Sequence, residues 1–85
     1  MADLKALAES VIKGDLNTAI AITKQAIAEK MPAGDILKNG LIAGMDVVGV
    51  RFKNNEVYIP EVLIAARAMK MAMQVLEPEL VKAGI

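Results

Sequence analysis

Three breaks divide this chain, and they leave it little to form except helices. Gly14-Asp15, Met31-Pro32 and Ile59-Pro60 interrupt segments rich in Ala, Leu, Met, Lys and Glu, which are strong helix formers. Within each segment the apolar residues recur at spacings of three and four, the period of a helix with one buried face. Asp3 is a candidate N-cap for the first segment, whose inner positions are Leu4, Leu7, Ala8, Val11 and Ile12. Gly14 suits a left-handed stop and Asp15 an immediate restart. The second helix therefore follows by a minimal turn, with Leu16, Ala19, Ile20, Thr23, Ala26 and Ile27 inward. Pro32 suits the first turn of a third helix, where its missing N–H is not needed. That helix carries Ile36, Leu37, Leu41, Met45, Val48 and Phe52 at helical spacing.

A polar turn, Lys53-Asn54-Asn55-Glu56, comes next. The residue before a proline avoids the α region, so Ile59 is expected to be extended and Pro60 to open a fourth helix. Its apolar positions are Val62, Leu63, Ala65, Ala66, Met69, Ala72, Met73 and Leu76, beside a narrow polar stripe of Arg67, Lys70, Gln74 and Glu77. Glu77-Pro78 is expected to end or kink it. The spacing predicts an all-α protein, a four-helix antiparallel bundle. Its helices cover about 3–13, 15–30, 32–53 and 60–77, with a short turn at 79–83.

Composition removes most chemistry. The chain has 85 residues, ten basic and ten acidic, with no histidine, cysteine or tryptophan. One small domain is expected, with a thin core that buries about 60–65% of the unfolded surface. Without cysteine there is no disulfide, zinc thiolate or thiol nucleophile. Without histidine the commonest general base and metal ligand are missing, and Ser10, Thr18 and Thr23 have no base to activate them. A neutral balance and two aromatic residues argue against nucleic acid as a partner. The apolar runs are short, Val62–Ala66 being typical, against the ~20 residues of a membrane span. The N-terminus has acidic residues early and no compact apolar core, unlike a signal peptide, so a cytoplasmic domain is expected. No catalytic residue, no metal ligand and no enzyme activity of the chain on its own are expected.

Two features stand out. The third helix carries Gly34, Gly40, Gly44 and Gly49, and each interior glycine costs about 0.8–1 kcal/mol against alanine. They serve either tight packing inside the domain or close approach of a ligand or second domain. Phe52, Tyr58 and Ile59 are bulky and lie at or next to a turn, where polar residues are usual. They are either tucked under the domain or, with Val62, form a small apolar surface for a flat apolar partner.

The stretch Gly40-Leu41-Ile42-Ala43-Gly44-Met45-Asp46-Val47-Val48-Gly49, then Phe52, Glu56-Val57-Tyr58-Ile59-Pro60-Glu61-Val62, Ala65-Ala66-Arg67-Ala68-Met69-Lys70 and Leu76-Glu77-Pro78 resembles the N-terminal helical cap module of corrinoid proteins. That module occurs in cobalamin-dependent methionine synthase and in methylamine, methanol and aryl-methyl-ether methyltransferase systems. The resemblance spans essentially the whole chain, Gly14-Asp15 and Pro32 included. It implies a four-helix bundle covering the upper axial face of methylcobalamin, the cofactor being held by a following α/β domain. By motif, it implies that Phe52, Ile59 and Val62 contact the cofactor, Ile59 standing in place of a leucine. Val50 and Arg51 stand where many relatives have an acidic residue; Glu56 and Glu61 match frequent family acids.

The same resemblance implies a partner methyltransferase. The family's lower axial ligand, the histidine of a D-x-H-x-x-G motif, is not in this sequence, so residues 1–85 are expected to be a single cap domain without the cobalamin-binding α/β domain. The alternative is a free-standing interaction module, a homodimer formed through helix four with Met69, Met71 and Met73.

Overall fold

The computed structural model describes residues 2–85 and is all helix apart from its turns. Helix α1 is Leu4–Lys13 and α2 is Leu16–Ala28. Helix α3 is continuous through three pieces: an α-helical turn Ala33–Asp35, a π-helical stretch Ile36–Ile42 and an α-helix Ala43–Lys53. Helix α4 is Ile59–Lys82. The four pack as a bundle, with α1 against α3 and α2 against α4 the two most extensive interfaces. Small residues make this possible: Ala19 and Ala26 on α2, and Ala65, Ala68 and Ala72 on α4, are all fully buried. The larger core side chains are Leu7, Val11, Ile36, Leu41 and Leu76, none of them exposed to solvent.

The helix starts follow local chemistry. The Asp3 carboxylate accepts from the Lys5 and Ala6 amides at 2.9 and 3.3 Å. Gly14 has φ +71°, the left-handed stop, and the Ile64 side chain lies where a Cβ on Gly14 would sit. Asp15 accepts from the Thr18 amide at 3.2 Å and from its hydroxyl at 2.7 Å. Those two bonds hold the Asp15 carboxyl below its ordinary value of 3.8. The Ala2 amide, 2.7 Å from the Glu29 carboxylate, similarly lowers Glu29 from 4.5. Carboxyls lowered in the folded state contribute stability above their unfolded values and lose it as pH falls through the folded ones. Thermal melts should therefore weaken on acidification below about pH 4. Asp15→Asn, which retains a capping oxygen, should flatten that decline.

Three expectations are corrected. Pro78 neither ends nor interrupts α4, and the separate turn at 79–83 does not exist; the helix continues to Lys82. A proline there removes the bond to the Gln74 carbonyl. Leu76 and Leu80, at 0% and 8% exposure on either side of it, hold the helix against the core. The extended residue before α4 is Tyr58 (φ −107°, ψ 168°), while Ile59 is the first helical residue and Pro60 the second. Pro32 lies just outside α3, at the N-cap, with ψ 129°.

The π stretch has a legible cause. Ile36, Gly40, Gly44 and Val48 are all buried, in a run of strict fours. In an α-helix each four-residue step overshoots the turn by about 40°, so such a run winds off one face. The wider π turn, closed by the Ala43 amide on the Lys38 carbonyl, corrects the overshoot. Gly40 and Gly44 face α1. A Cβ on Gly40 would lie 2.5 Å from Leu7 Cδ2, and one on Gly44 2.7 Å from the Ala8 carbonyl oxygen.

Candidate functional site

Helix α4, ~36 Å long at 1.5 Å per residue, spans nearly the whole 38 Å long axis of the bundle. The α3–α4 turn therefore lies at one pole, together with the Gly14 turn that touches Ile64. Seven of the ten large apolar side chains that stand exposed among the described residues fall between Val47 and Ile64. The apolar exposure is thus concentrated at this pole rather than scattered singly.

Phe52 is 45% exposed and Ile59 60% exposed, while Val62 is half-buried. All three belong to the last turn of α3 and the first turn of α4. Backbone bonds set the turn between them. The Asn54 amide donates to the Val50 carbonyl, Asn55 to Phe52 at 3.1 Å and Glu56 to Arg51 at 2.8 Å. Asn55 takes φ +61°, which asparagine tolerates. On the other side the Glu61 carboxylate accepts from the Tyr58 amide at 3.1 Å, as a first-turn acid. Apolar side chains are thus displayed on a hydrogen-bonded turn instead of being folded under it.

Two apolar positions at helical spacing turn out to face solvent: Leu63 is 63% exposed, and Phe52, for which the sequence left both a tucked and a surface placement open, projects at the pole. The signal for Leu63 was its position four residues before Arg67, on the polar stripe of α4. Tyr58 is the most exposed large apolar residue of the set. It was visible in the sequence only as a bulky residue in a turn.

The pole carries two hollows, one of about 280 Å³ lined by Ile12, Lys13, Val48, Arg51, Val57, Glu61 and Ile64, and a shallower one of about 380 Å³ lined by Asp46, Val47, Val50, Arg51 and Glu56. Phe52, Ile59 and Val62 line neither of them. These three side chains stand instead on an open, largely apolar surface. The hydroxyls of Ser10 and Thr23 are buried and bonded to the Leu7 and Ala19 carbonyls of their own helices. No cluster of acidic residues among those described could hold a metal ion, and no described helix is long and apolar enough to cross a membrane.

The sequence profile described as B12 binding domain matches residues 3–77. The chain belongs to this family. Within it, this B12 binding domain is the N-terminal helical module of corrinoid proteins, as the motif resemblance implies. It is 34% identical over its full length to a corrinoid protein of Desulfitobacterium hafniense, covering 39% of that protein. It is 37% identical over 76 residues, 89% of the chain, to monomethylamine corrinoid protein 2 of Methanosarcina barkeri, covering 35% of it. The solved structure of the Methanosarcina barkeri monomethylamine corrinoid protein superposes with a TM-score of 0.84 at 35% identity, over 88% of this chain and 35% of that one. The chain thus spans well under half the length of these relatives.

Proposed function

We propose that this chain is the helical cap of a corrinoid methyl-carrier protein. It covers the upper axial face of methylcobalamin held by a following α/β domain, and it works with a partner methyltransferase. The observation that carries this reading is the exposed apolar pole, with Phe52, Ile59 and Val62 at one hydrogen-bonded turn. Such a surface suits a flat, apolar group presented by another domain. No histidine is available in this sequence to hold the cobalt from below, so in this reading the cap contributes packing and the other domain contributes ligation.

Methylcobalamin would supply the transferable methyl group. The side chains of Phe52, Ile59 and Val62 would exclude water and oxidants above it, acting by shape and apolarity and not as acids or bases. Because methyl transfer needs an open face, the contact must be weak enough to break and reform. Helix α4 favours this reading over homodimerisation, since Met69 and Met73 pack against the bundle's own core.

The test joins the chain to a methylcobalamin-loaded cofactor domain and follows photolysis of the Co–CH₃ bond. Phe52 would help to close the apolar cage over the methyl group, so Phe52→Ala should speed photolysis by about tenfold, the effect of roughly 1.4 kcal/mol lost from the closed state. An unchanged rate would remove Phe52 from the role.

A further inference from the structure

Gly49 has no explanation inside the domain. Gly14 and Gly84 take positive φ. A Cβ on Gly34, Gly40 or Gly44 would press on Ile85, Leu7 or the Ala8 carbonyl. A Cβ on Gly49 would meet nothing within 4 Å, and Gly49 lies inside α3 without a positive φ. Helical glycine is intrinsically unfavourable, so neither conformation nor internal packing accounts for it.

Its neighbours on the helix surface do. Ile42, Met45, Gly49 and Phe52 follow one another at spacings of three, four and three, a single stripe of α3, bordered at Gly49 by the exposed charged side chains of Asp46 and Lys53. Ile42 is 37% exposed, Met45 half-buried and Gly49 exposed, and the stripe ends on Phe52. It is apolar, has no partner within the bundle over its outer half, and carries a notch where the side chain is missing. A flexible protein surface can repack around an extra methyl group. A rigid planar macrocycle cannot, and it needs such a notch to come down onto a helix backbone.

We propose that Gly49 is a contact position for the corrin ring: the missing side chain lets the ring edge lie against the α3 backbone beside Phe52. This rests on the cap reading and extends its contact surface from the α3–α4 turn onto the outer stripe of α3. More than three fifths of the length of the corrinoid relatives lies outside the match, which leaves ample chain to present the ring there.

The test sets stability against closure. In the 85-residue chain, Gly49→Ala should raise Tm by about 4–8 °C, since it adds helix propensity without a clash. In the chain joined to a methylcobalamin-loaded cofactor domain, the same change should speed photolysis, and Gly49→Leu should do so by about tenfold or more. A Tm that falls with alanine would mean an internal role for the glycine and would overturn the inference. So would unchanged photolysis in Gly49→Leu alongside faster photolysis in Phe52→Ala, a result that leaves the cap reading standing. Slower methyl transfer from a methyltransferase with unchanged photolysis would assign the notch to a protein partner instead of the corrin and would also overturn it. If Phe52→Ala changes nothing either, the cap reading itself falls.

Discussion

Leu76→Ala should cost about 2–5 kcal/mol of stability, in a domain whose whole stability is about 4–13 kcal/mol for its length. Leu76 is completely buried in the C-terminal half of α4. Half of the fourteen buried apolar residues among those described are alanines, which fill space between close helices but remove little surface each. The burden therefore falls on a handful of larger side chains, and α4 cannot collapse into the gap because Ala65, Ala68 and Ala72 already hold it tight against its neighbours. Urea unfolding should show a midpoint shifted well down with an unchanged slope. The contrasting variant is Leu63→Ala. It alters a residue of the same type on the same helix, yet Leu63 is 63% exposed, and its change should stay within about 0.5 kcal/mol. Equal losses at the two positions would contradict the placement of α4.

Gly44→Val should be nearly as damaging, by about 3 kcal/mol. The first obstacle to a side chain is the Ala8 carbonyl oxygen, 2.7 Å from the Cβ position, followed by Val11 Cβ at 2.9 Å. A backbone oxygen cannot rotate aside, so α1 would have to move away from α3. Gly40→Ala meets the far end of the Leu7 side chain, which can adjust, and should cost distinctly less. With Gly49→Ala expected to stabilise, these three of the four glycines of α3 form a series that changes sign. Thermal melts of the three alanine variants would show the order directly: Gly44 lowest, Gly40 intermediate, Gly49 above the parent.

The legibility of this fold depended on how local its causes were. Asp3, Gly14 and Asp15 were readable because a cap or a left-handed turn is decided by a residue and its immediate neighbours. The inward faces of α1 and α2 were readable because their helices are regular. Pro78 was misread because its penalty is local while the compensation comes from Leu76 and Leu80 packing on other helices. The π stretch left a trace in the strict fours of Ile36, Gly40, Gly44 and Val48, but helical periodicity absorbs spacings of three and four alike. At the candidate site, the motif resemblance named Phe52, Ile59 and Val62. The geometry added that they share a pole with Tyr58 and Leu63.

Taken alone, the sequence determined the helix count, the capped starts, the lack of histidine and cysteine chemistry, and the family. Each of these follows from residue identity or from short-range periodicity. The tertiary structure decided which apolar residues are core and which are surface, and which glycines are already used. Both depend on what lies across the gap: the same glycine is a packing necessity opposite the Ala8 carbonyl and an open notch at position 49, and no spacing along one helix can tell the two apart.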